Sequence, residues 1–353
     1  MIDLKPIEHF EFSAQPKAKL LMIYTGGTIG MDFNHLGQLM PCAFDHIINK
    51  MPVLNDLEIN LSVIAFQQPI DSSNIQIIHW QTLAKIIAGH YNAFDGFIIL
   101  HGTDTMSFSA SALSFMLEGC NKPVIFTGSQ LPIAGARSDA RENLITAIEI
   151  ASEKYQDIPL VTEVCIFFNH ILLRGNRSKK VESNQFDAFE SENYPILAEA
   201  GISIDYHQTH IKPFKKEKFK IHLNLKPEVG ILKLFPGMPQ SWVRSILIDA
   251  QLKGVVMESY GAGNVPNEEW FISLLREAVD NNMLVINVSQ CNGGRVWHGK
   301  YETSGDLDGM GILSGKDMTT EAALTKMMYA LGRYTKLEEQ RDCLRSAIRG
   351  EMN

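Results

Sequence analysis

Five apolar runs, none of them alternating with polar residues, constrain this chain most. They are "LLMIY" (20–24), "LSVIAF" (61–66), "GFIILH" (96–101), "PVIFTG" (123–128) and "VCIFF" (164–168). A strand with one face in water alternates polar and apolar residues, whereas a strand covered on both faces is apolar throughout. Between the runs, residues 74–92, 105–120 and 138–154 have helical spacing and helix-forming composition. One of these helices, within "SFSASALSFMLEG", is expected to close at Gly119. Strand and helix in alternation predict a parallel sheet with helices on its faces.

The alternation breaks at 207–227, "HQTHIKPFKKEKFKIHLNLKP", which has no clear period and carries five lysines between 212 and 220. This stretch reads as a solvated linker. A second α/β run follows, with strands at 229–235, 254–264 and 283–291. Helices are expected near 239–252, 268–281, 319–332 and 336–348. The expected fold class is therefore α/β with two domains. A larger N-terminal domain, 1–206, has a doubly wound, mostly parallel sheet. A smaller C-terminal domain, 228–353, is flavodoxin-like or Rossmann-like.

A length of 353 residues accommodates two such domains. Lys+Arg 32 against Asp+Glu 40 leaves a formal charge of −8, which argues against nucleic acid or an anionic membrane as partner. The first residues show no charged region leading into an apolar one, and no run of about 18 apolar residues occurs. Cys42, Cys120, Cys165, Cys291 and Cys343 are scattered without CxxC pairs, as free thiols of a reduced compartment are. A cytoplasmic location is expected. His207 and His210 have no acidic or cysteine neighbour to complete a metal site, and no metal or other cofactor is expected.

Ligands of open α/β sheets bind beyond the carboxyl ends of the strands. Those ends are rich in hydroxyls here: Thr25-Gly26-Gly27-Thr28 after the first run, Asp71-Ser72-Ser73 after the second, Thr103-Asp104-Thr105 after the third and Ser129-Gln130 after the fourth. Lys179 and Lys180 follow the fifth. The glycines do not form G-x-G-x-x-G, and GK[ST], G-x-S-x-G and HExxH are all missing. A threonine attacks only when a base takes its proton, and a lysine becomes that base when its pKa falls from about 10.4 toward roughly 7–8. Hydroxyls, a carboxylate and a lysine on one rim suit acyl transfer to water.

"IYTGGTIGM" and "GFIILHGTDTM" are also the point at which the chain resembles a known family. With "PIDSSN", "KPVIFTGSQLP", "NLITAIEIAS", "RGNRSKK", "SYGAGNVP" and "SQCNGGRV", they are similar to the bacterial-type L-asparaginases, in particular the type I, cytoplasmic branch. The resemblance implies hydrolysis of L-asparagine to L-aspartate and ammonia through an acyl-enzyme, with glutamine as a secondary substrate. It puts the nucleophile at Thr28 and a relay set at Thr103, Asp104 and Lys180. Lys180 would draw the proton of Thr103, or that of water through Thr103; which threonine attacks first stays open. Ser72, flanked by Asp71 and Ser73, would cradle the α-amino and α-carboxylate groups together with Thr103 and Asp104, and Ser129 joins the substrate-binding set. The Thr103 backbone N–H is an expected oxyanion donor. The family's assembly implies a homodimer or homotetramer, with Asn264 reaching a neighbour's site. Two rival readings are an asparagine-binding sensor without turnover and the related tRNA-dependent amidotransferase subunit, which carries an extra domain before its TGGT segment, where 24 residues precede Thr25 here.

Blander roles are expected for the neighbours. Thr25 would support the turn, Thr105 would begin the next helix, Lys179 would be solvated and Asp71 would also cap its own loop. The chain departs from the family pattern twice. Residues 29–50 contain no tyrosine where the family has one on its lid; counting places Gln38 there, and Phe33 and Phe44 offer only shielding. Some type I enzymes hold an arginine just before "SYG" for a regulatory asparagine, where this chain has Glu258, so weak or absent cooperativity is expected.

Overall fold

A computed structural model describes residues 2–33, 39–41, 52–299 and 307–353. Gln38, Cys42 and Phe44 lie outside the described residues, and of Phe33 only the backbone is described. The chain divides into two compact units, residues 1–221 and 222–353.

The first unit is built on nine strands: β1 (Glu8–Glu11), β2 (Ala18–Gly26), β3 (Ile59–Ile70), β4 (Gly96–Leu100), β5 (Val124–Thr127), β6 (Val164–Phe168), β7 (Ile171–Arg174), β8 (Ala198–Ala200) and β9 (Ile204–Tyr206). They line up as β1-β3-β2-β4-β5-β6-β7-β8-β9. The five strands β3-β2-β4-β5-β6 are parallel. These contain the five apolar runs, and residues 20–24 of β2 are all at most 2% exposed, as burial on both faces requires. Antiparallel strands extend both edges: β1 on β3, and β7, β8 and β9 beyond β6. Those additions were not visible as apolar runs, because β1, β8 and β9 carry polar residues and β7 is only four residues long.

Three helices cover the sheet: α1 (Ile77–His90), α2 (Met106–Met116) and α3 (Ala140–Ser152). Leu144, Ala147 and Ile148 of α3 pack with Leu20, Met22, Ile98 and Ile125 from the sheet. Helix α2 stops at Met116 instead of Gly119, because Leu117–Glu118 pairs antiparallel with Lys220–Ile221. Gly119 has φ +68°, and a Cβ there would lie 2.6 Å from Lys218 O, so the glycine serves this strand contact.

The stretch expected as a solvated linker divides between the units. Its first part packs on the first unit: Lys212 N donates to Glu163 Oε1 at 2.6 Å, and the Phe219 ring stacks on Tyr91 with centroids 3.8 Å apart. The second unit has a parallel sheet of β10 (Val229–Lys233), β11 (Gly254–Ser259), β12 (Leu284–Ser289) and β13 (Leu313–Ser314) in that spatial order. Helix α4 (Gln240–Arg244) continues into a π turn at Ser245–Asp249, and α5 (Glu269–Asp280), α6 (Thr320–Arg333) and α7 (Leu337–Arg345) complete the unit. Thr319 caps α6 by accepting from Ala322 N. No helix among the described residues is long and apolar enough to cross a membrane.

Candidate active site

The strand order places β2 between β3 and β4, so the chain crosses first to one side of β2 and then to the other. This reversal is the switch point at which open α/β sheets bind ligands. The loops leaving β2, β3 and β4 meet there with almost no side chain between them. Gly26 (φ +132°) abuts the backbone of Ile70, and a Cβ on Gly27 (φ +91°) would lie 2.6 Å from Gly102 N. A Cβ on Gly102 would in turn fall 2.6 Å from Ser72 Oγ. Two glycines are needed after β2 because three backbones converge and because both φ values belong to glycine. Thr28 and Thr103 each follow directly after one of the touching residues, which sets them on adjacent loops.

Each loop is also pinned from below. The buried Thr25 hydroxyl donates to Leu100 O at 2.8 Å, and Tyr24 Oη donates to Gly30 O at 3.1 Å beneath the short 3-10 turn Thr28–Gly30. Thr105 Oγ1 donates to Ser72 O at 2.7 Å, tying the β4 loop to the β3 loop. Asp71 accepts from both Ser73 N and Ser73 Oγ at 2.9 Å, capping the turn Ser72–Asn74. These bonds, the backbone one first, hold the Asp71 carboxyl below its ordinary pKa. Ser72 is buried, whereas Asp71 and Ser73 are exposed.

Lys180 arrives on a hairpin. Lys179–Lys180 pairs antiparallel with Phe189–Glu190, and the Phe189 ring packs on Phe168 of β6 at 5.1 Å. Consecutive residues of a strand point to opposite faces, so only one of the two lysines faces the rim. That one is Lys180: its Nζ donates to Thr103 Oγ1 at 2.7 Å and to Asp104 Oδ1 at 2.8 Å. The Lys180 side chain is 18% exposed and the Asp104 carboxylate 65%, so water reaches the pair from the acid side.

Two residues not singled out as site residues in the sequence complete this geometry. Gln130 accepts from Thr103 Oγ1 at 3.4 Å through Oε1, while its Nε2 donates to Gln185 O at 2.9 Å. A carbonyl only accepts, which fixes the orientation of the amide. In "TGSQ" the hydroxyl of Ser129 fits the pattern of the other strand ends, and Gln130 by itself reads as a turn residue. Ser129 itself donates to Leu131 O at 2.6 Å, so it has an acceptor to offer to a ligand. The other residue is His101, buried beneath Gly102, with Nδ1 2.6 Å from Gly102 O. In the second unit, Asn264 lies in the turn after β11, and Glu258 accepts from Thr320 Oγ1 and pairs with Lys233 at 3.5 Å.

The chain matches the N-terminal asparaginase family model over residues 19–212 and the glutaminase/asparaginase C-terminal domain model over residues 228–344. It is 39% identical to L-asparaginase 1 of Escherichia coli K12, covering 95% of this chain and 98% of that one. It is also 39% identical to the mouse 60 kDa lysophospholipase over 96% of its own length, spanning 63% of that longer protein. The crystal structure of L-asparaginase I from Vibrio cholerae superposes with a TM-score of 0.86 at 36% identity, covering 95% of this chain and 99% of that chain. Two family models that together take in nearly the whole chain, and a fold with a glycine-lined switch point, place this protein in the asparaginase family.

Proposed function

We propose that the protein is an L-asparaginase that hydrolyses L-asparagine to L-aspartate and ammonia through a threonine-bound acyl intermediate. The single observation carrying this reading is Lys180 Nζ bridging Thr103 Oγ1 at 2.7 Å and Asp104 Oδ1 at 2.8 Å on the rim that presents Thr28. In the first step Thr28 Oγ1 attacks the side-chain amide carbon and loses its proton to the leaving amine, which departs as ammonia. In the second, water attacks the Thr28 ester and passes a proton through Thr103 to Lys180, which returns it to the departing Thr28 oxygen, releasing aspartate and restoring the hydroxyl. Asp104 holds the lysine and meets the substrate's α-ammonium. Ser72, Asp71 and Ser73 receive the α-amino and α-carboxylate groups, with Ser129 as an acceptor beside them. The Thr103 N–H opens a 3-10 turn and so has no intrahelical acceptor, which suits it to a developing oxyanion.

By the resemblance glutamine is a secondary substrate; it is one methylene longer, a difference worth about 1–3 kcal/mol in a fitted pocket. By the same resemblance the protein works in the cytoplasm as a homodimer or homotetramer. Ammonia release from L-asparagine by the purified protein tests the activity. Thr28→Ala and Thr103→Val are each expected to abolish it with folding intact, and full activity in either overturns the assigned roles. Mass spectrometry of quenched wild-type enzyme should find the acyl group on Thr28; an acyl group on Thr103 reverses the two threonines.

A further inference from the structure

We propose that His101 is a positioning residue for this reaction: it fixes and polarises the Gly102–Thr103 peptide whose N–H receives the oxyanion. The inference rests on the asparaginase reading of the site. Gly102 C=O and Thr103 N–H belong to one planar amide, so a hydrogen bond to the oxygen sets the direction of the N–H and strengthens it as a donor.

The bond chain behind that peptide has one polarity only. Trp80 Nε1 on α1 lies 2.8 Å from Ser109 Oγ on α2, Ser109 Oγ 2.9 Å from His101 Nε2, and His101 Nδ1 2.6 Å from Gly102 O. An indole N–H only donates and a carbonyl only accepts. Both ends therefore dictate the middle. Ser109 accepts from Trp80 and donates to Nε2, which leaves the imidazole proton on Nδ1, aimed at Gly102. His101 is 1% exposed and Ser109 fully buried, so water does not compete. Burial first, then the nearby charge of His79, pushes the His101 pKa down to about 4, against the opposing pull of the Gly102 carbonyl. A neutral ring is what keeps Nε2 an acceptor.

The test is steady-state hydrolysis of L-asparagine by the full chain with three substitutions. The side-chain amide of His101→Asn stands where Nδ1 does and keeps a donor on Gly102 O; His101→Leu fills space and donates nothing. His101→Asn should stay within about 5-fold of wild-type kcat, while His101→Leu should lose about 10- to 100-fold in kcat with KM changed less than about 3-fold. Equal kcat in the two variants, or a loss confined to KM, overturns the proposal. Should His101→Leu fail to fold, Ser109→Ala decides: it should admit the Nε2–H tautomer, seen in imidazole ¹⁵N shifts, and lower kcat several-fold. Mixed tautomers with unchanged kcat overturn the proposal, as does a wild-type ring carrying its proton on Nε2. A wild-type protein that releases no ammonia overturns the asparaginase reading along with this one. An active wild type with indistinguishable variants overturns this one alone.

Discussion

Lys180 Nζ lies 2.7 Å from Thr103 Oγ1, across 77 residues of sequence. The amine donates to a lone pair of that oxygen, and the hydroxyl proton turns to Gln130 Oε1 at 3.4 Å. Lys180, Thr103 and Gln130 thus form a hydrogen-bond chain of one direction.

Removing the amine should stop the chemistry without dismantling the site. Lys180→Met is expected to lower kcat by about 10²–10⁴, the usual worth of a positioned base. Lys180→Arg keeps the ion pair with Asp104 and supplies no base, so it should fall equally far in the same ammonia-release assay. Wild-type turnover in Lys180→Arg would show the lysine to be a charge only.

The contact of Gly27 with Gly102 predicts a sharp intolerance. Gly27→Ala puts a Cβ 2.6 Å from Gly102 N at φ +91°. Backbone strain of this kind costs about 1–3 kcal/mol before any clash is counted, and the two loops must separate. Urea unfolding should show at least that loss, and asparagine hydrolysis should disappear.

The second unit carries a buried pair whose halves are not equivalent to lose. The side chains of Lys326 on α6 and Glu351 are both fully buried, 2.5 Å apart, and the carboxylate also accepts from Ile348 N and Arg349 N. Lys326 and its neighbouring donors hold the Glu351 carboxyl below its ordinary pKa despite burial. Lys326→Met should cost about 3–5 kcal/mol by stranding that charge. Adding Glu351→Gln, which removes the charge and keeps an oxygen for the backbone, should recover part of the loss in thermal unfolding.

Acid should weaken the first unit through His101. Its folded pKa is about 4 against an ordinary 6.5, so the unfolded chain takes up the proton first as pH falls. The stability is intact above about pH 6.5 and is lost progressively down to about pH 4, by up to about 3 kcal/mol. His79 on α1, also depressed by burial, adds in the same direction. The unfolding free energy of His101→Asn should fall less steeply over that window; an identical pH slope would show that His101 does not titrate there.

Glu258, the departure from the family pattern just before "SYG", is engaged with Thr320 and Lys233 inside its own unit. Initial rates against asparagine concentration should follow a hyperbola. A clearly sigmoidal curve would require a second substrate site of another composition.

How far the sequence could be read depends on which interactions are local. The five covered strands were legible because burial on both faces writes an unbroken apolar run, as in residues 20–24 and 96–100. The antiparallel strands β7, β8 and β9 were not, since none is longer than four residues and so short a run shares its composition with loops. Gly119 looked like a helix end, yet it serves a pairing with residues 220–221, about a hundred positions away. The hydroxyl-rich strand ends were visible as spacing. Gln130 and His101 were in plain view beside them, and nothing local distinguished them from turn and core residues.

The sequence by itself determined the alternation of strands and helices, the placing of glycines where φ must be positive and the set of residue types available for chemistry, because each is a property of a few neighbouring residues. Tertiary structure alone decided which way the Gln130 amide lies and which groups flank the two nitrogens of His101. Those depend on partners brought together by the sheet order, and no chain of neighbours encodes a hydrogen bond between residues separated by 77 positions.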